Sequence, residues 1–322
     1  MRNILITGGA GYIGSHIAEI LIRDNFKVLI VDNLSTGYKK LINNNAIFFK
    51  VDIRNTQKIK KIISDNSVDS VIHLASLLNV NESQKKPGKY IDNNVNGTKR
   101  LLKAIENSNV RNLIFSSTAA VYKDGIYRVN ERANLKPKSV YGKTKLRSEN
   151  LIKKFSKKNN VNFAILRYFN VVGASKSKKV GQINKYDLLF KNLSISVLNK
   201  FPTINIYGSN YKTPDKTCIR DFIHVSDISD IHIKVLSKIE KNKKSIILNC
   251  GYGVGRSVLE VCKMFEKISK KKLKIIYKPR RKADLAAIIA DNKKLKKFID
   301  WKPRYNNLSK MVKSSLDWEK KL

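Results

Sequence analysis

The 322-residue chain has few cysteines, few acids and no long apolar run, and each shortage removes a class of protein. Its cysteines are Cys218, Cys250 and Cys262. An odd number without a CxxC pair builds neither a disulfide framework nor a zinc ribbon, so all three read as buried fillers. No apolar stretch approaches the ~18 residues of a membrane span, and Ile4-Leu5-Ile6 is broken at once by Gly8-Gly9, unlike a secretory signal. The expectation is a cytoplasmic chain with no membrane partner. The four histidines, His16, His73, His224 and His232, stand far apart without ligand spacing, so no metal is expected.

Acid is the strongest shortage: 25 Asp and Glu face 65 Lys and Arg, a formal charge of +40. So basic a chain invites a nucleic-acid reading. The excess, however, is mostly lysine scattered in pairs such as Lys39-Lys40, Lys60-Lys61 and Lys153-Lys154. A nucleic-acid module concentrates its cations on one element with aromatics between them for base stacking, and no such stretch is present. Solvated faces account for the charge, and no specific nucleic-acid partner is expected. The densest cluster, Lys270-Lys271-Lys272, reads as a helix end.

From Arg2 to Arg167 short β-branched runs alternate with longer helical patterns, which predicts a parallel sheet covered on both faces. The predicted strands are Asn3–Thr7, Lys27–Val31, Ala46–Val51, Ser70–Leu74, Asn112–Ser116 and Asn162–Arg167. The predicted helices lie near Ile13–Asp24, Thr56–Ser64, Ile91–Asn107 and Tyr141–Lys158. This is an α/β, Rossmann-type doubly wound sheet. Past Asn170 the alternation loosens, so a smaller C-terminal α/β substrate lobe is expected over 172–322, after a dinucleotide-binding domain over 1–171. The helix-like Ser226–Glu240 and strand-like Ile246–Asn249, within 215–250, are candidates to return to the first sheet.

Gly8, Gly11 and Gly14 are spaced three apart between a predicted strand and a predicted helix. Such a loop turns tightly, admits a phosphate without a Cβ in the way and aims backbone amides at it from the helix N-terminus. A bare glycine trio also fits a tight turn and nothing more. Asp32, 18 residues after Gly14 at the end of the second strand, decides between the two readings. A carboxylate there accepts hydrogen bonds from an adenosine ribose and repels a 2′-phosphate, favouring NAD over NADP. Asp52 also ends a strand, where a place beside the adenine and a turn-forming role are equally open.

Tyr141 and Lys145 stand four apart at the start of a helical pattern, which puts phenol and ammonium on one face. A free tyrosine titrates near ~10, so it works as a base near neutrality only beside a cation. Lys145 supplies one, and Tyr141 can then take a proton from a sugar hydroxyl. The run Ser116-Ser117-Thr118 closes the fifth strand at the carboxyl edge, where a hydroxyl can hold a substrate oxygen or cap a helix.

These residues sit within longer runs: TGGAGYIGSH at Thr7–His16, VDNLSTG at Val31–Gly37, DNNVNGT at Asp92–Thr98, SSTAAVY at Ser116–Tyr122, YGKTK at Tyr141–Lys145, LRYFNVVGA at Leu166–Ala174 and PRRKADL at Pro279–Leu285. Together they resemble the extended short-chain dehydrogenase/reductase superfamily and, within it, the UDP-glucose 4-epimerases, nearly end to end. The resemblance implies Thr118, Tyr141 and Lys145 as catalytic residues. It implies an NAD site formed by Tyr12, Ile13, Asp32, Asn33, Asp52, Ile53, Leu74, Asn93 and Phe169 with the glycine loop. It places the UDP moiety on Asn170, Arg220 and Arg281, and Asp284 and Ile288 on the substrate wall. It further implies a homodimer and inversion at C4 of a UDP-hexose through a transient 4-keto sugar. The chain departs from the pattern at Leu78, where many epimerases carry a lysine near the pyrophosphate, at Lys123 and Ala283, each in place of a glycine, and over Gly173–Phe190. Ala119-Ala120 stand where 4,6-dehydratases need an acid pair. The alternatives are UDP-GlcNAc or UDP-glucuronate 4-epimerases, a 4-keto reductase and a non-catalytic NAD-binding protein.

Overall fold

Runs of β-branched residues bury both faces of a strand, and alternate positions then feed two different cores. A computed structural model describes residues 2–125, 127–184, 188–281 and 284–322. In chain order its strands are β1 (Asn3–Thr7), β2 (Lys27–Asp32), β3 (Ile47–Lys50), β4 (Ser70–His73), β5 (Asn112–Thr118), β6 (Arg128–Val129), β7 (Asn162–Tyr168), β8 (Asn170–Val172), β9 (Thr203–Tyr207), β10 (Ile219–His224), β11 (Ile246–Cys250), β12 (Gly255–Ser257), β13 (Lys274–Lys278) and β14 (Ala287–Ala290). The helices are α1 (Tyr12–Arg23), α2 (Thr56–Asp65), α3 (Val80–Lys85), α4 (Pro87–Tyr90), α5 (Gly97–Ile105), α6 (Val140–Asn159), α7 (Leu189–Leu198), α8 (Val225–Asn242), α9 (Val258–Ser269), α10 (Lys293–Ile299) and α11 (Leu308–Lys321).

A seven-stranded parallel sheet runs β11-β7-β5-β4-β1-β2-β3. The alternation is visible in β1 and β2. Ile4, Ile6, Val28 and Ile30 join the core shared with α1 and α8, whereas Leu5, Leu29 and Val31 join the core beneath α2, α5 and α6. Each such side chain contributes roughly 1.5–3 kcal/mol, so two continuous cores fix the layer order. The chain reverses direction of travel across the sheet at β1 and β4, which opens a crevice at their carboxyl ends. The strand at Ile246–Cys250 pairs with β7 in this sheet, and α8 packs on α1.

A second sheet runs β12-β10-β14-β6, with β8 added beside β10, and β9 and β13 form a parallel pair. Its strands are short and mix parallel with antiparallel pairing. This sheet carries Arg220 and Ile288.

The helix expected over Ile91–Asn107 differs in kind. Ile91–Asn96 is wound as a π-helix and only Gly97–Ile105 is α-helical. The cause is Asn94, whose side chain turns inward, accepts from Leu77 N (2.8 Å) and donates to Leu77 O (3.0 Å) and Thr144 Oγ1 (3.1 Å). It braces the loop after β4 against α6, a use of π-turns common beside functional sites. Lys270 caps α9 in the left-handed region. All three cysteines are buried and unpaired. Among the described residues no helix is long and apolar enough to cross a membrane.

Candidate active site

One cavity of about 610 Å³ lies along the carboxyl ends of β1, β2, β4, β5 and β7. At its first end sits the glycine loop. Gly8 has φ +76°, and a Cβ on it would lie 2.6 Å from Ala75 N; a Cβ on Gly14 would lie 2.4 Å from Gly8 O. Strand, loop and helix therefore approach as closely as backbones can, and α1 begins at Gly11 with no side-chain cap on its amides. That is the cradle a pyrophosphate needs, so these residues fit NAD. Gly14→Ala is expected to force the cradle open. Such overpacking costs about 1–3 kcal/mol, or about tenfold or more in NAD affinity, read as dinucleotide released from the purified, denatured protein.

Asp32 lies in the same end of the cavity. Its carboxylate accepts from Ala10 N (3.1 Å) and Leu34 N (2.8 Å), while burial raises its pKa against these two bonds. Tyr12, Ile13, Asn33, Ile53, Leu74 and Asn93 also line the cavity. Asp52 does not, although its neighbours Val51 and Ile53 do. Arg54 grips it through Nε (2.9 Å) and Nη2 (2.8 Å), and Asn33 Nδ2 donates to it (2.8 Å). The Arg54 hydrogen bonds hold its carboxyl well below the usual carboxylate range. Leu78, half exposed, lines the cavity with an apolar side chain. Ala283 lies outside the described residues.

The middle of the cavity brings Thr118, Tyr141 and Lys145 together. Helix α6 starts with the Ser139 side chain accepting from Gly142 N (3.0 Å), and Ser83 Oγ accepts from Tyr141 N (3.1 Å), so the phenol is set by two anchored turns. Burial pushes the Tyr141 phenol up to about 12, with a hydrogen bond to the Thr118 side chain acting the other way. Lys145 is buried, donates from Nζ to Ser76 Oγ (2.8 Å) and lies 4.4 Å from the centre of the Phe115 ring. Burial lowers its ammonium to about 7, opposed by the Glu149 charge. Beneath them Arg167 and Glu149 form a fully buried two-point ion pair (2.7 and 3.0 Å), and Ser117 Oγ donates to the same carboxylate (2.5 Å). The end of β5 is thereby tied to α6.

The far part of the cavity is lined by Phe169, Asn170, Arg220, Arg281, Asp284 and Ile288. Asp284 stands between the two guanidiniums, 3.1 Å from Arg281 Nε and 3.9 Å from Arg220 Nη2. Arg220 also donates to Leu285 O (2.7 Å), and Arg281 lies 4.2 Å from the centre of the Tyr207 ring. Ile288 is paired with Arg220 in register across β14 and β10 and packs in the apolar cluster that contains Phe169 and Leu285.

Sequence reasoning missed Ser76, Tyr207, Gln182, Asn184 and Trp318, which also line the cavity. Ser76 was within reach, since every loop at the carboxyl edge is a candidate. Gln182 and Asn184 sit on irregular segments without a pattern, Tyr207 ends a five-residue strand, and Trp318 lies on α11, whose helical period marks a buried face but not the cavity it reaches. Among the described residues no group of three or more His, Cys, Asp or Glu could hold a metal ion.

Comparison with known proteins gives one answer. The model of the NAD dependent epimerase/dehydratase family matches residues 4–251. A UDP-glucose 4-epimerase of Lactobacillus helveticus is 36% identical over 98% of this chain and 97% of its own. Among solved structures, a UDP-glucose-4-epimerase from Stenotrophomonas maltophila, crystallised with NAD and formylated UDP-arabinopyranose, superposes with a TM-score of 0.95 at 33% identity, covering 100% of this chain and 98% of that one. A UDP-Glc/GlcNAc 4-epimerase from Campylobacter jejuni superposes with a TM-score of 0.87 at 38% identity, with both chains fully covered.

Proposed function

The chain belongs to the NAD dependent epimerase/dehydratase family, and from that premise we propose how its cavity carries out the C4 epimerisation of a UDP-hexose. The protein is an isomerase of the UDP-glucose 4-epimerase kind, and NAD is its cofactor. The observation that carries the residue roles is the order of groups along one cavity. The glycine cradle and Asp32 follow β1 and β2, Thr118 ends β5 with Tyr141 and Lys145 beside it, and Arg220 lies on β10, joined through Asp284 to Arg281. A dinucleotide and a nucleotide sugar fit that order end to end, with the sugar opposite the phenol.

Bound NAD supplies the acceptor and donor of the C4 hydride. Thr118 holds the O4 hydroxyl and Tyr141 removes its proton, then returns it once the sugar has presented its other face. Lys145 stabilises the phenolate from one turn below. Arg220 and Arg281 grip the diphosphate as planar forks, and Asp284 holds the two guanidiniums in place. Asn170 holds the UDP moiety with them, and Phe169 lines NAD. With Ala119-Ala120 after Thr118, no carboxylic acid follows the hydroxyl to expel water, which disfavours dehydration. Residues 1–171 with α8 and β11, from the returning segment near 215–250, form the NAD-binding domain, and the remainder of 172–322, with β10, forms the substrate domain. A cytoplasmic homodimer completes the reading. Incubation with UDP-glucose, UDP-GlcNAc and UDP-glucuronate in separate reactions tests it; UDP-galactose from the first is the expected product, and no epimer from any of the three would refute it.

Sugar choice rests on Ile288. Its side chain is branched at Cβ and stiff, and it is packed on one side by Phe169 and Leu285. A larger side chain must therefore grow into the cavity. UDP-glucose and UDP-galactose are the expected preferred pair, with slower turnover of the 2-N-acetyl sugars, since an apolar wall discriminates by about 1–3 kcal/mol. Ile288→Tyr should increase that preference about tenfold or more. An unchanged ratio of kcat/KM for the two sugar types would remove Ile288 as the gate.

A further inference from the structure

The segment 173–184 is hydrogen-bonded to the first domain on one side and to the last helix on the other. It meets the first domain at three places. Tyr12, the first residue of α1, donates its hydroxyl to Gly173 O (2.6 Å). Ser177 Oγ donates to Glu19 of the same helix (2.6 Å). Asn184 Nδ2 donates to Thr36 O (3.0 Å), and Tyr38 Oη donates to Asn184 Oδ1 (3.0 Å). Thr36 and Tyr38 belong to the loop that folds over Asp32, and Ser35, Thr36 and Gly37 line the cavity there. The far side of the segment is held by the last helix. Trp318 Nε1 donates to Gln182 O (2.9 Å). Lys191 Nζ donates to the same carbonyl (3.1 Å) and to Glu319 (2.6 Å), a pair almost wholly buried. Lys178 pairs with Asp317 (3.3 Å), and Lys321 Nζ donates to Lys178 O (2.9 Å).

We infer that 173–184 is a clasp over the dinucleotide, with Asn184 and Trp318 as positioning residues that keep NAD in the protein between turnovers. The inference rests on the epimerase reading, in which the hydride returns to the sugar each cycle and the cofactor never has to leave. A clasp closed by side-chain amide bonds then retains the cofactor without slowing the reaction. Neither residue has to touch NAD. Asn184 acts through the loop that shapes the Asp32 end, and Trp318 acts through Gln182.

The test is exchange of bound NAD for isotopically labelled NAD in the purified full-length protein. Asn184→Ala removes both bridging bonds and should speed exchange about tenfold. Tyr38→Phe removes one bond at an exposed phenol that does not line the cavity, and should speed exchange by a smaller factor while turnover at saturating added NAD is kept. Trp318→Phe keeps most of the packing and loses only the indole donor, so it reports on the pin without emptying the core. A merely structural role would lower thermal stability in these variants with exchange unmoved. Exchange at the unmodified rate in both Asn184→Ala and Tyr38→Phe would overturn the clasp. Wild-type protein that carries and takes up no NAD would contradict the epimerase reading beneath it instead.

Discussion

Tyr141→Phe is expected to lower kcat by roughly 10²–10⁴-fold while the purified protein keeps its full complement of NAD. Phenylalanine preserves the ring between the two anchored turns of α6, and the bonds that set its backbone, to Ser139 and Ser83, do not involve the phenol. Only the phenol oxygen, the proposed acceptor of the sugar proton, is lost. The state of that oxygen explains why two cations are needed. In the protein alone burial raises the phenol to about 12, so it is a poor base near neutrality. Lys145 sits on the same helical face, yet burial draws its own ammonium down to about 7. Activity should therefore fall as pH rises through about 7, where Lys145 loses its proton, and bound NAD would supply the second positive charge that favours the phenolate. Near-normal turnover by Tyr141→Phe would refute the assignment, and a loss of NAD content together with activity would make the residue structural.

Acid should unfold this protein far more readily than its charge suggests. His16, His73, His224 and His232 are all buried, and burial is the first cause that lowers their pKa values to about 4, 3, 3 and 4. His73 bridges Thr7 Oγ1 (2.7 Å) and Thr98 Oγ1 (3.1 Å), and His232 receives the Tyr168 hydroxyl (2.5 Å), so both are fixed as neutral rings. The unfolded chain binds a proton on each near pH 6.5, whereas the folded chain does not until about pH 3–4. Between those values the unfolded state holds more protons, so stability falls as pH falls through the window. At pH 5 the loss is roughly 1–2 kcal/mol per histidine, and four such losses rival the whole stability of a domain. Asp221 works against them, because burial raises its carboxyl to about 6 and the native state gains a proton there. Urea midpoints at pH 7, 6 and 5 should report uptake of roughly three protons on unfolding. His232→Gln should remove about one of them, and uptake below one proton in the wild type would contradict the account.

The sequence was most legible where physics leaves few choices. The buried parallel strands read as β-branched runs because both of their faces need apolar side chains, and Gly8, Gly11, Gly14 and Asp32 read together because a backbone cradle and a ribose carboxylate have one workable spacing. Tyr141 and Lys145 were readable as a pair from helical geometry alone. Thr118 was one of three hydroxyls by position and was singled out through resemblance; in the structure its side chain hydrogen-bonds the Tyr141 phenol. The second sheet and the β9–β13 pair were scarcely legible: Gly255–Ser257 spans three residues, and Lys274–Lys278, in the pair, is half exposed and carries lysine at both ends. Strands this short take their state from neighbours distant in sequence. Arg220, Arg281 and Ile288 were reachable only through resemblance, Asn184 had no signal because a polar bridge between loops has no period, and the helical period of α11 marks Trp318 as buried without showing that its indole reaches Gln182. The π-turn at Ile91–Asn96 follows from one side chain, Asn94, turning inward, which local propensity does not encode.

The central claim is that one cavity inverts C4 by moving its hydrogen away and back within a single binding event. UDP-glucose carrying deuterium at C4, turned over in ordinary water, tests it directly. The account predicts UDP-galactose with the deuterium still at C4 and none in the solvent. Galactose product bearing hydrogen at C4, or deuterium released to water, would contradict it.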